Sequence, residues 1–275
     1  MNKAASRFVL PAALGASLLA AVASAQQPQP REPDEEYGEW LARPTDLATV
    51  PVDRIPRSLR LNGQAMLLGQ KVFTRHCAGC HGADLKGLPD QHTPDLTDAE
   101  WRFGGDDLPS GGRTIYPSDV EWTVRYGIRS GDPNARGAEV SMLAFDPQYR
   151  TKEDTEDFGD RWFINLEEID DVVEYVLEIS GRPFDKAKAA RGSVLFHDGA
   201  RGNCYDCHDD NGAGIATFGS TNLTRPDLYL WGADRDSIRE SIVKGRHGTM
   251  PAFEGVLKPE EVKAVSVFVH SRAAK

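Results

Sequence analysis

The sequence predicts an all-α protein built as two tandem units with long loops between the helices. Three observations carry that prediction. Apolar residues recur at helical spacing in several segments, and no alternating strand pattern is convincing. A five-residue word occurs twice, and the length of 275 residues suits about two domains at roughly 150 residues each. With 42 acidic and 32 basic residues the formal charge is −10. That balance argues against nucleic acid as a partner. A hydrophobic share of 40% and a charged share of 27% are those of a globular chain and exclude disorder.

The first 25 residues read as a signal peptide. Lys3 and Arg7 precede an apolar stretch from Phe8 to Val22, and Ala23-Ser24-Ala25 supplies a cleavage site. An uncleaved anchor is the alternative, because Phe8–Ala25 has 18 residues, but Pro11 and Gly15 interrupt it. Cleavage takes the formal charge from −10 to −12 by removing Lys3 and Arg7. The expected location is the periplasm, or the periplasmic face of a membrane if the N-terminus is retained. Residues 26–60 carry Pro28, Pro30, Pro33, Pro44, Pro51 and Pro56 among charged residues and read as an extended arm.

Two domains follow, 61–181 and 182–275. In the first, a helix near 62–75 has Met66, Leu67, Val72 and Phe73 as core candidates. A closing helix over Leu166–Leu177 turns Ile169, Val172/Val173 and Val176/Leu177 to one face. Ser180-Gly181-Arg182-Pro183 stops that helix and reads as the linker between the domains. The second domain has helices near 185–198 and over Asp234–Lys244. Its terminal helix starts at Pro259 and buries Val262, Val265 and Phe268 or Val269.

All four cysteines lie in the repeated word, Cys77-Ala78-Gly79-Cys80-His81 and Cys204-Tyr205-Asp206-Cys207-His208. In an exported chain, C-x-x-C-H is an attachment site for a c-type haem. Two thiols about one helical turn apart each add to a vinyl group, and the adjacent histidine faces the iron. A zinc ribbon needs its halves ~15–20 residues apart, whereas Cys80 and Cys204 are 124 apart. A thioredoxin-like site needs a βαβ pattern, and structural disulfides would not require a histidine after each second cysteine. The words sit in a longer repeat offset by 127 residues. Gly69-Gln70-Lys71-Val72-Phe73 precedes the first and Gly192-Ser193-Val194-Leu195-Phe196 the second. Asp95-Leu96-Thr97 and Asn222-Leu223-Thr224 each follow 18 residues after the first cysteine of their word, and Gly105 aligns with Gly232.

The sixth iron ligand separates an electron carrier from an enzyme with an open haem. Met250, in the loop Gly245–Phe253, is the first candidate, because a methionine before Pro251 has little packing reason to be there. Met142 is the second, in Val140-Ser141-Met142-Leu143-Ala144-Phe145, with the same Ala-Phe following; the domain boundaries assign it to the first unit. Met66 reads as core. His76, His92, His197, His247 and His270 have no matched partner in the other repeat and read as surface or supporting residues, with His92 and His247 as outside candidates.

On these motifs residues 61–275 resemble the class I cytochrome c fold, and more closely the dihaem subunit III of cbb-type haem–copper oxidases. The resemblance rests on the paired words, the D/N-L-T segments with Trp101 or Trp231 following, and Gly-Arg-His-Gly-Thr-Met-Pro-Ala-Phe at 245–253. It implies two covalent haems c held by Cys77, Cys80, Cys204 and Cys207, with His81, Met142, His208 and Met250 as axial ligands. It also implies that the carbonyls of Pro94 and Thr221 receive the ring N–H of His81 and His208. The expected function is that of an electron-transfer protein rather than an enzyme. It would pass electrons from a dehydrogenase or quinol-oxidising complex to a terminal oxidase. The alternatives are a subunit of a membrane-bound oxidase, with membrane contact through the N-terminus or its partner, and a peroxidase-like dihaem oxidoreductase with one open iron. Trp101, Trp122 and Trp231 read as packing residues rather than relays. Ten acids between Asp146 and Asp171 face only Arg150, Lys152 and Arg161, which leaves a docking surface and a solvated loop both open.

Overall fold

Short polar caps start most of the helices. In the computed structural model, which describes residues 46–107, 113–137, 141–152 and 162–274, the Ser58 hydroxyl accepts from Leu61 N ahead of α1 (Leu59–Val72). Asn165 and Glu168 exchange side-chain-to-backbone bonds of 2.9 and 2.8 Å at the head of α4 (Leu166–Ile179). Asp185 caps α5 (Lys186–Phe196) and Asp234 caps α7 (Arg235–Lys244). Pro259 opens α8 (Pro259–Arg272). Between these lie α2 (Ala78–His81), α3 (Pro117–Tyr126) and α6 (Tyr205–His208). A π-turn over Phe73–Cys77 joins α1 to α2.

The predicted helices are present within a few residues of their expected ends. Two features depart from an all-helical plan. A short antiparallel ribbon pairs β1 (Asp106–Asp107) with β2 (Arg113–Thr114). Helix α3 had no strong periodic signal, because it buries only Pro117, Val120 and Val124. The leader and residues 26–45 lie outside the described residues, as does 153–161 of the acidic run.

Packing does not follow the chain order that the boundary at 181/182 assumes. Helix α8 packs on α1 and α3, whereas α4 packs on α5 and α7. Lobe one therefore joins the early helices to the end of the chain, with Val72, Phe73, Val120, Val124, Val262 and Phe268 in one cluster. Lobe two lies between them in sequence, with Ile169, Val172, Val176, Ile238 and Ile242 in its core. The segment 180–183 is thus not an interdomain linker. Gly181, at φ 69°, closes α4 while Arg182 N donates to Leu177 O, and the chain returns as α5 along the same lobe.

Each lobe has one close helix crossing built on glycine. A Cβ at Gly69 would run into the backbone of Ala264, and one at Gly192 into that of Asp171 and Val172. This is the physical content of the two Gly-x-x-x-Phe segments. The last part of the arm is also no free extension. Two 3-10 turns, Asp46–Ala48 and Val52–Arg57, bury Leu47, Val52 and Ile55 against Leu61, Ala65, Ala264 and Val267. Lys263 Nζ fastens them by donating to Ala48 O and Val50 O at 2.9 and 2.8 Å.

Candidate haem-binding sites

The two words are framed by the same loop, bond for bond, at the 127-residue offset. Gly87 N donates to His81 O and Gly214 N to His208 O, at 3.0 and 2.8 Å. Thr93 Oγ1 accepts from Leu88 N and donates to Cys80 O at 2.6 Å; Ser220 Oγ accepts from Ile215 N and donates to Cys207 O. Leu96 N reaches Leu85 O, and Leu223 N reaches Gly212 O. In Asp95-Leu96-Thr97 and Asn222-Leu223-Thr224 the first side chain accepts from the threonine N–H at 2.7 and 3.0 Å. The D/N-L-T segment is therefore an Asx turn that ends the loop below the proximal histidine. The hydroxyls of Thr93 and Ser220 were not singled out from sequence, although they share the same offset.

The proximal histidines differ. His208 Nδ1 lies 3.1 Å from Thr221 O, so the ring donates there and turns Nε2 the other way. His81 Nδ1 is enclosed without a well-formed bond; burial lowers its proton affinity, and the Pro94 carbonyl opposes that only in part. Burial pushes Cys77 up to about 11 and Cys204 up to about 12, with the neighbouring cysteine adding to each. Thiols so held are poor thiolate nucleophiles or metal-ion ligands, and a neutral thioether suits their surroundings better. All four cysteines are free of disulfides.

The methionines reach these sites by exchange. Gly127 (φ 74°) ends α3, and the next residue, Ile128, pairs with Met250 through N–H···O bonds of 3.0 and 2.9 Å. Gly245 (φ 69°) ends α7, and Arg246 pairs with Met142 through bonds of 3.3 and 2.9 Å. A Cβ at either glycine would strike the carbonyl of the partnered methionine, which explains glycine at both crossing points. Met250 packs with Cys77, Leu96 and Trp101 against the core of lobe one. Met142 packs with Cys204 and Leu223 against lobe two. The assignment of Met142 to the first unit is thereby corrected: it stands with the second word, and Met250 with the first. The loops of 15 and five residues after Gly127 and Gly245 are two passages between lobes, not two versions of one local turn.

In lobe two a cavity of about 360 Å³ is lined by Cys204, Cys207, His208 and Met142, with apolar walls from Val172 and Ile242. The donor set fits a haem c. Two thiols stand beside an imidazole and a thioether, and apolar side chains complete a slot suited to a flat macrocycle. Three guanidinium groups, of Arg102, Arg129 and Arg246, also line it, which suits the carboxylates of such a group. In lobe one the indole Nε1 of Trp101 is buried without a protein acceptor, which again fits a group bearing carboxylates.

The remaining candidates have other partners. Met66 packs into the core of lobe one. His197 bridges Ser193 O and Asp210 O, and His270 meets Ile115 O. His92 reaches across to Leu230 O at 2.9 Å and stacks on Trp231, 5.3 Å between ring centres. His76 and His247 are exposed. Trp122 donates to Asn134 O on the surface of lobe one.

Comparison with known proteins points the same way. The family described as cytochrome c oxidase, cbb3-type, subunit III matches residues 187–269, and the cytochrome c family matches residues 66–116. A cbb3-type cytochrome c oxidase subunit FixP of Bradyrhizobium sp. (strain ORS 278) is 35% identical over 235 residues, 85% of this chain and 69% of the relative. A subunit CcoP of Azospirillum sp. (strain B510) is 31% identical over 232 residues, covering 82% and 69%. One from Cereibacter sphaeroides is 32% identical over 227 residues, covering 82% and 66%.

Proposed function

Because the chain belongs to the cbb3-type cytochrome c oxidase subunit III family, we propose that it holds two haems c and delivers electrons as a subunit of a haem–copper terminal oxidase. The observation that carries this reading is the convergence of Cys204, Cys207, His208 and Met142 on one cavity. The haem iron, when bound, supplies one-electron redox chemistry. The chain fixes and tunes it. Cys204 and Cys207 would hold the macrocycle, with His208 oriented by the Thr221 carbonyl as one axial ligand and Met142 as the other. In lobe one Cys77, Cys80, His81 and Met250 have the same roles. Thioether ligation favours the reduced iron relative to a second imidazole and closes the sixth position, which suits a carrier better than a peroxidase.

No helix among the described residues is long and apolar enough to cross a membrane. Attachment would therefore run through residues before 46 or through the partner subunits. The test is purification of the tagged full-length chain from its native membranes. We expect it to co-migrate with a copper-containing haem oxidase whose oxygen consumption falls when the chain is deleted. A chain that elutes alone, with oxidase activity unchanged on deletion, would instead support a freely diffusing periplasmic carrier.

A further inference from the structure

A short segment of lobe one, Glu100–Phe103, is the main bracket between the lobes, and it ends against the second word. Arg225 Nη1 of lobe two donates to Glu100 Oε1 at 3.0 Å. The Phe103 ring lies on Gly219, where a side chain would collide with it. Between them Arg102 enters lobe two. Its Nη1 donates to Thr221 Oγ1 at 2.8 Å and its Nη2 to Leu228 O at 3.0 Å, and the side chain lines the cavity with His208. Thr221 thus serves two masters: its carbonyl accepts from His208, and its hydroxyl accepts from Arg102.

Nothing equivalent stands at the first word. The residue that matches Thr221 is Pro94, which has no hydroxyl, and the residue that matches Arg102 is Tyr229, whose hydroxyl donates to Leu223 O within its own lobe. Burial and the nearby Arg129 pull the Arg102 guanidinium down to about 10, which still leaves it charged at neutral pH. Its neighbourhood in the cavity is cationic, with Arg129 and Arg246 beside it.

We propose that Arg102 is a positioning and potential-setting residue, supplied by lobe one, for the haem held at His208. This rests on the haem assignment above. The oxidised iron carries one positive charge more than the reduced iron. A fixed cation within the same low-dielectric wall disfavours the oxidised form and raises the potential. Through Thr221 the same side chain steadies the carbonyl that orients the imidazole. The two repeats would then differ in potential because one lobe lends the other a charge.

The experiment is a redox titration of the holoprotein and of Arg102→Gln, Arg102→Lys and Glu100→Gln. The component belonging to His208 is identified as the one whose spectrum changes in Met142→Ala. In Arg102→Gln we expect a downward shift of that midpoint alone. Arg102→Lys should restore most of it, and Glu100→Gln, which loosens the bracket without removing the cavity charge, should leave both midpoints in place. An unchanged midpoint in Arg102→Gln, an equal fall of both, or the same shift in Glu100→Gln would overturn the proposal. Haem content is measured first. Fewer than two haems in the unmodified chain would sink the underlying haem assignment, whereas two leave the potentials to decide about Arg102.

Discussion

Lobe one and lobe two share a word, a loop and a helix crossing, yet they are finished with different materials. Lobe one is completed by apolar burial: the 3-10 turns carrying Leu47, Val52 and Ile55 close over α1 and α8. Lobe two uses charge at the same level of the fold. Arg235 grips Glu174 at 2.6 and 3.0 Å, and Arg191 grips Asp171 at 2.7 and 2.6 Å, with both carboxylates buried. The histidines differ in parallel, His208 being fully bonded and His81 not. A repeated motif therefore sets what chemistry each lobe performs, while the unrepeated surroundings set how firmly and at what energy.

The comparison breaks most sharply at the methionines. In a chain whose first word is disabled by Cys77→Ser and Cys80→Ser, Met142→Ala should open the remaining haem to carbon monoxide, and Met250→Ala should not. Loss of the Met-to-iron charge-transfer absorption would report the same event. The opposite pattern would mean that each methionine serves its own repeat after all.

Next come the helix crossings. Gly192→Ala should cost about 3 kcal/mol, since backbone rather than a yielding side chain meets the new methyl group. Its effect in thermal unfolding should fall on lobe two, and that of Gly69→Ala on lobe one. Glu174→Gln should cost about 2 kcal/mol by leaving Arg235 half-paired. Arg235 holds Glu174 below its ordinary value. Its contribution is thus present above the usual carboxylate range, near pH 4, and is lost as pH falls through the depressed folded-state value. Acid titration followed by circular dichroism should show lobe two loosening on that limb, with a shallower slope in the Gln variant. The smallest effect belongs to the Asx turns. Asn222→Ala and Asp95→Ala should each cost about 1 kcal/mol, read by denaturant unfolding, and the two values should agree if the loops are as equivalent as their bonds.

Much of this was legible in the residues. The haem words, the D/N-L-T turns and the Gly-x-x-x-Phe crossings repeat because each needs a particular side chain at a particular place. The Thr221 carbonyl stands where it was expected. The exchange was not legible. After α3 and after α7 the chain makes the same glycine turn and offers the same pair of backbone groups, so either methionine strand satisfies either turn. Only the unequal spacing of 15 and five residues hinted at it. The role of Arg102 was hidden for a related reason: its partners Thr221 and Leu228 are 119 and 126 residues away and belong to the other lobe.

The exchange also orders the way the chain is built. Lobe two is an uninterrupted stretch nested inside lobe one, whose final helix α8 is the last to leave the ribosome. Its core can close while α1 still waits for a partner near the far end of the sequence. Such a distant contact is slow to form. A nascent chain stalled or clipped before residue 259 would therefore lose the first haem's lobe, not the second's. The end of the polypeptide guards the beginning.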